Sequence, residues 1–473
     1  MISDLIILIV CLTGYAYAFR VQQKNRHLLA LSMLVLLGMI LRTYLSLDLF
    51  LHPWDERYHA LVAKNMLQSP FSPMLYNDPI MPFDYRDWSA NHIWLHKQPL
   101  PLWLMSVGVW LFGNTEFAIR VPSILFSGVG IAFMYLLARE LYDKKVAFLS
   151  AFLFSIHGLI LEITAGRVAT DHVDLFFLVF VLAAVYFSVK SYKTGKLSYS
   201  IFCGFSIGLA ILCKWLPALI VFGIWGILVF KKWPFWKMLG HLSVMLLITT
   251  VVALPWQIYI HLRYPAEALW ENGFNVKHIT EVLDGNGGPL YYHFDKLRMI
   301  YGELIYLPIL WLTYKIIRRK RNRTDIAVFL WFLIPFVFFS IPKTKMQAYT
   351  LFAAPAIFLI QSLFIVYLFR YRKVLKPKIL TYTILFLLMA LPVRYSTERM
   401  KFFTAYERQP QWATDIKTLK KSLPENTHNL VIFNTPHPIE TMFYIDCIAY
   451  DFVPDSTLIN NIKDRGYTVK IMN

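Results

Sequence analysis

Long apolar runs, continuous rather than alternating, recur along most of the chain and are broken by short polar segments. Runs of this kind predict α-helical membrane crossings, because inside a bilayer only helices and closed barrels satisfy their own backbone, and barrel strands alternate. Twelve crossings are expected, at residues 4–19, 28–50, 118–142, 146–164, 172–190, 199–213, 216–230, 238–260, 300–317, 325–342, 347–369 and 378–394. Residues 97–113 are apolar too, but a crossing there would invert every later loop, so a helix lying in the membrane interface is expected. Beyond residue 394 the pattern changes. Helix-like segments 411–422, 440–446 and 456–464 alternate with strand-like segments 429–434, 448–452 and 467–471, which predicts a small α/β unit. The expected fold class is therefore an all-α polytopic membrane protein, residues 1–394, with a small C-terminal α/β domain, residues 395–473.

Composition and charge add orientation. Hydrophobic residues make up 57% of the 473 positions and charged residues 16%, far from a soluble globule. The net charge of +18 sits in short loops: Arg20, Lys24 and Arg26; Lys144 and Lys145; Lys190, Lys193 and Lys196; Lys231, Lys232 and Lys237; Lys315 and Arg318–Arg323; and Arg370–Lys378. That spacing follows the positive-inside rule and argues against nucleic acid as a partner. The other side then receives two long loops, 51–117 and 261–299, the turn at Lys343–Lys345 and the C-terminal unit. The four cysteines show neither a disulfide framework nor metal spacing. Residues 5–19 lack a small-residue cleavage site and carry their cations on the wrong flank for a signal peptide, so an uncleaved anchor is expected.

Candidate chemistry gathers on the side away from the basic loops. His52–Met66 follows a crossing directly and puts Asp55 and Glu56 where that crossing leaves the bilayer, with His59 one turn further on a predicted helix. A helix cap that complements the dipole is the plain alternative for this pair. His96-Lys97, the segment Gly166–Asp174 with Arg167 and Asp171, and the segment Lys343–Tyr349 reach the same rim; Lys214 marks a turn between two short crossings. Each has an ordinary explanation, as cap, snorkelling cation or loop histidine. Jointly, carboxylates and cations on one rim suit an anionic, polar substrate, with a carboxylate as base and cations neutralising a phosphate. A transporter or flippase for a lipid-linked sugar is the competing reading, although no internal repeat is seen and the charges sit at a rim rather than at mid-membrane.

In order along the chain, these stretches resemble the motifs of GT-C glycosyltransferases that use polyprenyl-phosphate sugars, a group including the protein O-mannosyltransferases and the lipid A aminoarabinose transferases. Trp54–Met66 resembles the first-loop "DE..Y...A..M" motif, His96–Trp103 the "HKPPL..W" stretch and Ala118–Ser123 the "A.R.PS" stretch. Arg167–Asp171 is similar to the second aspartate motif, Gly208–Lys214 to "GLA.LTK", Leu254–Trp256 to "LPW", Gly288–Tyr292 to "GP.YY" and Lys345–Tyr349 to "SK...Y". The resemblance implies inverting transfer from an undecaprenyl- or dolichyl-phosphate sugar to a lipid, glycan or protein acceptor at the outer face of the inner membrane. It implies Asp55 as the leading carboxylate, base or orienting group, with Glu56 supporting it and Asp171 completing the acidic centre. Lys97, Arg167, Lys214 and Lys345 would hold the donor phosphate, and Tyr58, His59, His278, Tyr292 and Tyr349 would complete the substrate-binding set. The sequence departs from the pattern at Glu281, where relatives often carry Arg three residues after the histidine matched by His278. No cofactor is otherwise implied. His96 and His278 form a candidate divalent-metal pair, a thin donor set without a thiolate.

Overall fold

The computed structural model describes residues 2–318, 322–402, 404–423 and 429–472; the basic positions Arg319, Lys320 and Arg321 lie outside the described residues. Helices α1 (Ile2–Gln23) and α2 (His27–Leu45) pack as a hairpin. The first long loop carries α3 (Asp55–Asn65) and α4 (Pro99–Phe112). The bundle continues with α5 (Glu116–Leu141), then α6 (Lys144–Ile156) and α7 (Gly158–Thr164), bent by 50° at His157. Next come α8 (Asp171–Thr194), α9 (Leu197–Lys214), a 3-10 turn at Leu216–Leu219 and α10 (Ile220–Val229). α11 (Phe235–Arg263) leads to the second long loop with α12 (Pro265–Thr280) and α13 (Tyr292–Tyr301). α14 (Tyr306–Arg318), α15 (Arg323–Ser340), α16 (Ala354–Tyr371) and α17 (Lys378–Arg399) complete the bundle.

Among the described residues nine helices are long and apolar enough to cross a membrane, and the bent pairs α6/α7 and α13/α14 raise this to eleven. The remaining expected crossing, 216–230, is a 4-residue 3-10 turn followed by the 10-residue α10. It is shorter than the roughly 20 residues that a hydrocarbon layer about 30 Å thick asks of a helix, but it still traverses the bundle: Lys214 before it pairs with Asp174 at the start of α8, and Lys237 after it lies beside Gly195 at the end of α8. Two expected boundaries are corrected. The crossing expected at 28–50 stops at Leu45, and residues 46–54 form an irregular strap carrying Asp48 and His52 ahead of α3. The crossing expected at 300–317 is broken by a 117° bend at Gly302, whose φ of +104° a side chain would resist.

The bent pair α6/α7 is buried along nearly its whole length, and α8 and α16 are the most enclosed of the unbroken crossings; α1, α11 and α17 turn apolar side chains outward. α4 also exposes Trp110, Leu111 and Phe112, as an interfacial helix should. At the C-terminal end, α18 (Gln411–Ser422), α19 (Pro438–Tyr444) and α20 (Ser456–Asp464) accompany β1 (Leu430–Phe433), β2 (Ile448–Ala449) and β3 (Thr468–Ile471). The strands form one parallel sheet in the order β2-β1-β3, with Val431 opposite Ile448 and Val469. All four β1 residues are buried, as befits a central parallel strand. This unit rests on α3. Lys64 Nζ donates to the Met442 carbonyl at 2.7 Å, Arg57 pairs with Glu440 at 3.4 Å, and the Tyr444 hydroxyl donates to Glu116 at 2.6 Å. α3 is thereby clamped between the bundle and α19, with Tyr444 anchoring the same unit to the start of α5.

Candidate active site

Asp55 opens α3 without capping it. The N-cap position is Trp54, which makes no side-chain cap bond and holds φ at 82°. Asp55 instead reaches across the rim: its Oδ2 accepts from the Thr170 amide at 3.1 Å and lies 3.3 Å from Lys97 Nζ. Thr170 itself, just before Asp171, has φ 64°, and Trp215, just after Lys214, has φ 66°. A non-glycine residue held in such a conformation costs about 1–3 kcal/mol and persists only where its surroundings impose it. Three of them thus flank Asp55, Asp171 and Lys214. Asp171 is fully buried and pairs with His59 Nδ1 at 2.9 Å, placing His59 behind Asp55 rather than at an open surface.

Glu56 points the other way, into a buried polar knot. Arg120 Nε and Nη2 donate to its two oxygens at 2.7 and 2.9 Å, the His52 amide donates at 2.7 Å, and His172 Nε2 stands at 3.3 Å. Gly166 makes room for this carboxylate: with φ +75°, a Cβ there would sit 2.2 Å from Glu56 Oε1. Arg167 is engaged in the same knot. Its guanidinium grips Asp48 at 2.7 and 3.0 Å and lies 4.4 Å over the Tyr406 ring. Arg408 and His52 converge on Asp48 as well. Sequence reasoning missed Asp48 and Arg120. The spacing Asp48–His52–Glu56, four residues apart twice, was the available signal, together with a cation in the "A.R.PS" stretch.

The second long loop closes over the same rim. Thr344 and Lys345 amides donate to the carbonyls of His278 and Asn286 at 3.1 and 2.8 Å, stitching the Lys343–Lys345 turn to the loop after α12. Lys345 is buried, and its ammonium donates to the Pro342 carbonyl; among the described residues it pairs with no carboxylate. Lys214 pairs with Asp174 and lies 4.9 Å from the Tyr349 ring centre. Beside Tyr349, Phe339 and Phe352 enter an apolar cleft of about 470 Å³ between α10 and α15. His96 Nδ1 meets Glu271 of α12 at 2.9 Å and stacks on Trp88 at 4.6 Å, so the two long loops are clasped next to Lys97. Tyr58 packs against Trp88 and receives a hydrogen bond from Arg57, and Tyr292 lies under Lys296.

Electrostatics separates these groups further. Burial alone would push the Asp55 carboxyl up; the charges of Lys97, His59 and His96 outweigh it and hold it below the usual range. Burial would likewise lower Lys97, but Asp55 raises it, so the pair stays ionised. Burial and then the charge of Lys97 keep His96 below the ordinary histidine value, and burial does the same to His278. Phe274 lies between these two rings, at 5.5 Å from His96 and 5.4 Å from His278. Among the described residues no group of three or more His, Cys, Asp or Glu side chains is arranged to hold a metal ion.

A family profile described as dolichyl-phosphate-mannose-protein mannosyltransferase matches residues 96–259. ArnT from Cupriavidus metallidurans, solved bound to undecaprenyl phosphate, superposes with a TM-score of 0.64 over 93% of this chain and 89% of that one, at 17% identity. The chain has a GT-C fold. A second GT-C neighbour is the oligosaccharyltransferase of Archaeoglobus fulgidus tethered to an acceptor peptide, with a TM-score of 0.60 at 14% identity, covering 94% of this chain and 68% of that one. In sequence, the GT-C chain is 27% identical over 317 residues to the undecaprenyl phosphate-alpha-4-amino-4-deoxy-L-arabinose arabinosyl transferase of Pseudomonas savastanoi pv. phaseolicola, which is 63% of this chain and 54% of the relative. The Serratia proteamaculans enzyme of the same name is 26% identical over 309 residues, 63% and 52% of the two chains. The GT-C chain thus spans about half the length of the curated relatives it matches.

Proposed function

We propose that this protein is an inverting glycosyltransferase. It moves a sugar from a polyprenyl-phosphate donor to a lipid, glycan or protein acceptor, and its site and C-terminal unit lie on the outer face of the cytoplasmic membrane. One observation carries the reading: a partly open Asp55–Lys97 pair, 3.3 Å apart, at the junction of the two long loops. The basic loops lie on the other side of the bundle and support the orientation. The cleft beside Tyr349 suits the first isoprene units of a donor, and the ammonium of Lys345, which meets no carboxylate among the described residues, suits its phosphate.

The same pair supplies the chemistry. With Lys97 alongside, Asp55 is ionised but weakly basic. A donor phosphate competes for Lys97, which relieves Asp55 of its main opposing charge and raises its basicity only when the donor is present. An acceptor hydroxyl then passes its proton to Asp55 as its oxygen bonds the sugar C1. The C1–O bond to the carrier phosphate breaks on the opposite face, with inversion, and the prenyl phosphate leaves with its charge met by Lys97 and Lys345. Glu56 and Arg167 act as positioning residues, holding α3 and the Gly166–Thr170 segment in register. Purified protein given a prenyl-phosphate sugar and an acceptor extract should form a new glycoside; movement of the donor across liposomes without chemical change would replace this reading with transport.

A further inference from the structure

A second cleft lies against α10, at the end of the bundle where the basic loops lie. It holds about 660 Å³ and is lined by Phe222, Gly226, Phe230, Leu242, Ile326 and Arg323. A Cβ added at Gly223 or Gly226 would meet nothing within 4 Å, so the cleft reaches the α10 backbone itself. Its walls are apolar except for two donors. Arg323 Nη1 is buried with no hydrogen-bond partner among the described residues, and so is the indole Nε1 of Trp225, a residue 1% exposed. Buried donors left unpaired are unfavourable, more so when the group is charged. Lys231, Lys232 and Lys237 are exposed at the rim, and Phe235 and Trp236 stand outward at the same level, as aromatic residues do at a headgroup boundary. An apolar trough ending in a cation, opening toward lipid between two membrane helices, matches an acyl chain joined to an acidic head.

We propose that this cleft binds an anionic phospholipid of the leaflet facing the basic loops, its chain along α10 and its phosphate on Arg323 Nη1 and the Trp225 indole. The site is distinct from the cleft beside Tyr349; the two flank α10 and share Gly223 and Ile227. A lipid seated here braces the helix that follows Lys214. Native mass spectrometry of the full chain in detergent, offered phosphatidylglycerol, phosphatidylcholine or undecaprenyl phosphate, tests it, with thermal unfolding without added lipid as the folding control. Phosphatidylglycerol should be retained at least tenfold over phosphatidylcholine. Arg323→Gln should abolish that preference, Arg323→Lys should restore it in part, and Gly226→Leu, which fills the trough, should abolish retention of both. Equal retention of the two phospholipids, an unchanged preference in Arg323→Gln, or displacement of phosphatidylglycerol by equimolar undecaprenyl phosphate would each overturn the proposal.

Discussion

Asp55 and Glu56 leave the same helical turn in opposite directions, and their replacements should separate accordingly. Asp55→Asn keeps the Thr170 contact and should leave thermal unfolding close to that of the parent while transfer falls by a factor of about 10²–10⁴, the usual range for a lost general base. Glu56→Gln strands Arg120 in the interior and should destabilise by roughly 3–5 kcal/mol, seen as a lowered melting temperature before any kinetic effect. The pH dependence follows from the depressed Asp55 pKa. A carboxyl lower in the folded than in the unfolded chain stabilises fully above the ordinary Asp value, near 4, and loses that contribution as pH falls through the folded value. The acid limb of kcat/KM, which reports the free enzyme, should therefore lie below about pH 4. In Lys97→Ala burial is left with its main opponent gone, and the limb should move upward; an unmoved limb would remove Lys97 from its assigned role. At this scale the sequence carried Asp55, Lys97 and Asp171 to one rim. It could not tell that Arg167 would be held by Asp48, because the strap bearing Asp48 reads as the tail of an apolar run.

At the scale of elements, α3 is the piece on which the site depends. It is fixed below by Glu56 in the polar knot and above by Lys64 and Arg57 on α19. Glu440 is almost fully buried, so Glu440→Ala should free Arg57, loosen the C-terminal unit and speed limited proteolysis between residues 404 and 410, with transfer reduced less than in Asp55→Asn. Gly166→Ala drives a methyl into the Glu56 carboxylate and should lower stability and transfer together. The α/β alternation of the tail was legible because parallel strands and their crossover helices have different periods. Its docking on α3 was not, since Arg57 and Lys64 lie 383 and 378 positions from their partners Glu440 and Met442 and carry no local pattern.

At the scale of the whole molecule, apolar runs and basic loops led to the bundle, and eleven of the twelve expected crossings correspond to long helices or bent pairs among the described residues. Run length alone did not reveal that the crossing at 216–230 is a short one, because its 3-10 turn and helix read as one apolar stretch. Cysteines placed at Lys144, Lys196 and Lys232 should react with an impermeant thiol reagent only from the cytoplasmic side, and those at Asp284, Lys343 and Asp455 only from the other; a mixed pattern would overturn the orientation. In the proposed reaction Asp55 performs transfer from a prenyl-phosphate sugar while the fold stands without it. The most direct measurement is glycoside formation in proteoliposomes by the parent and by Asp55→Asn at matched folded protein. The parent should form product and the folded variant at least a hundredfold less, whereas equal product from both would take the chemistry away from Asp55.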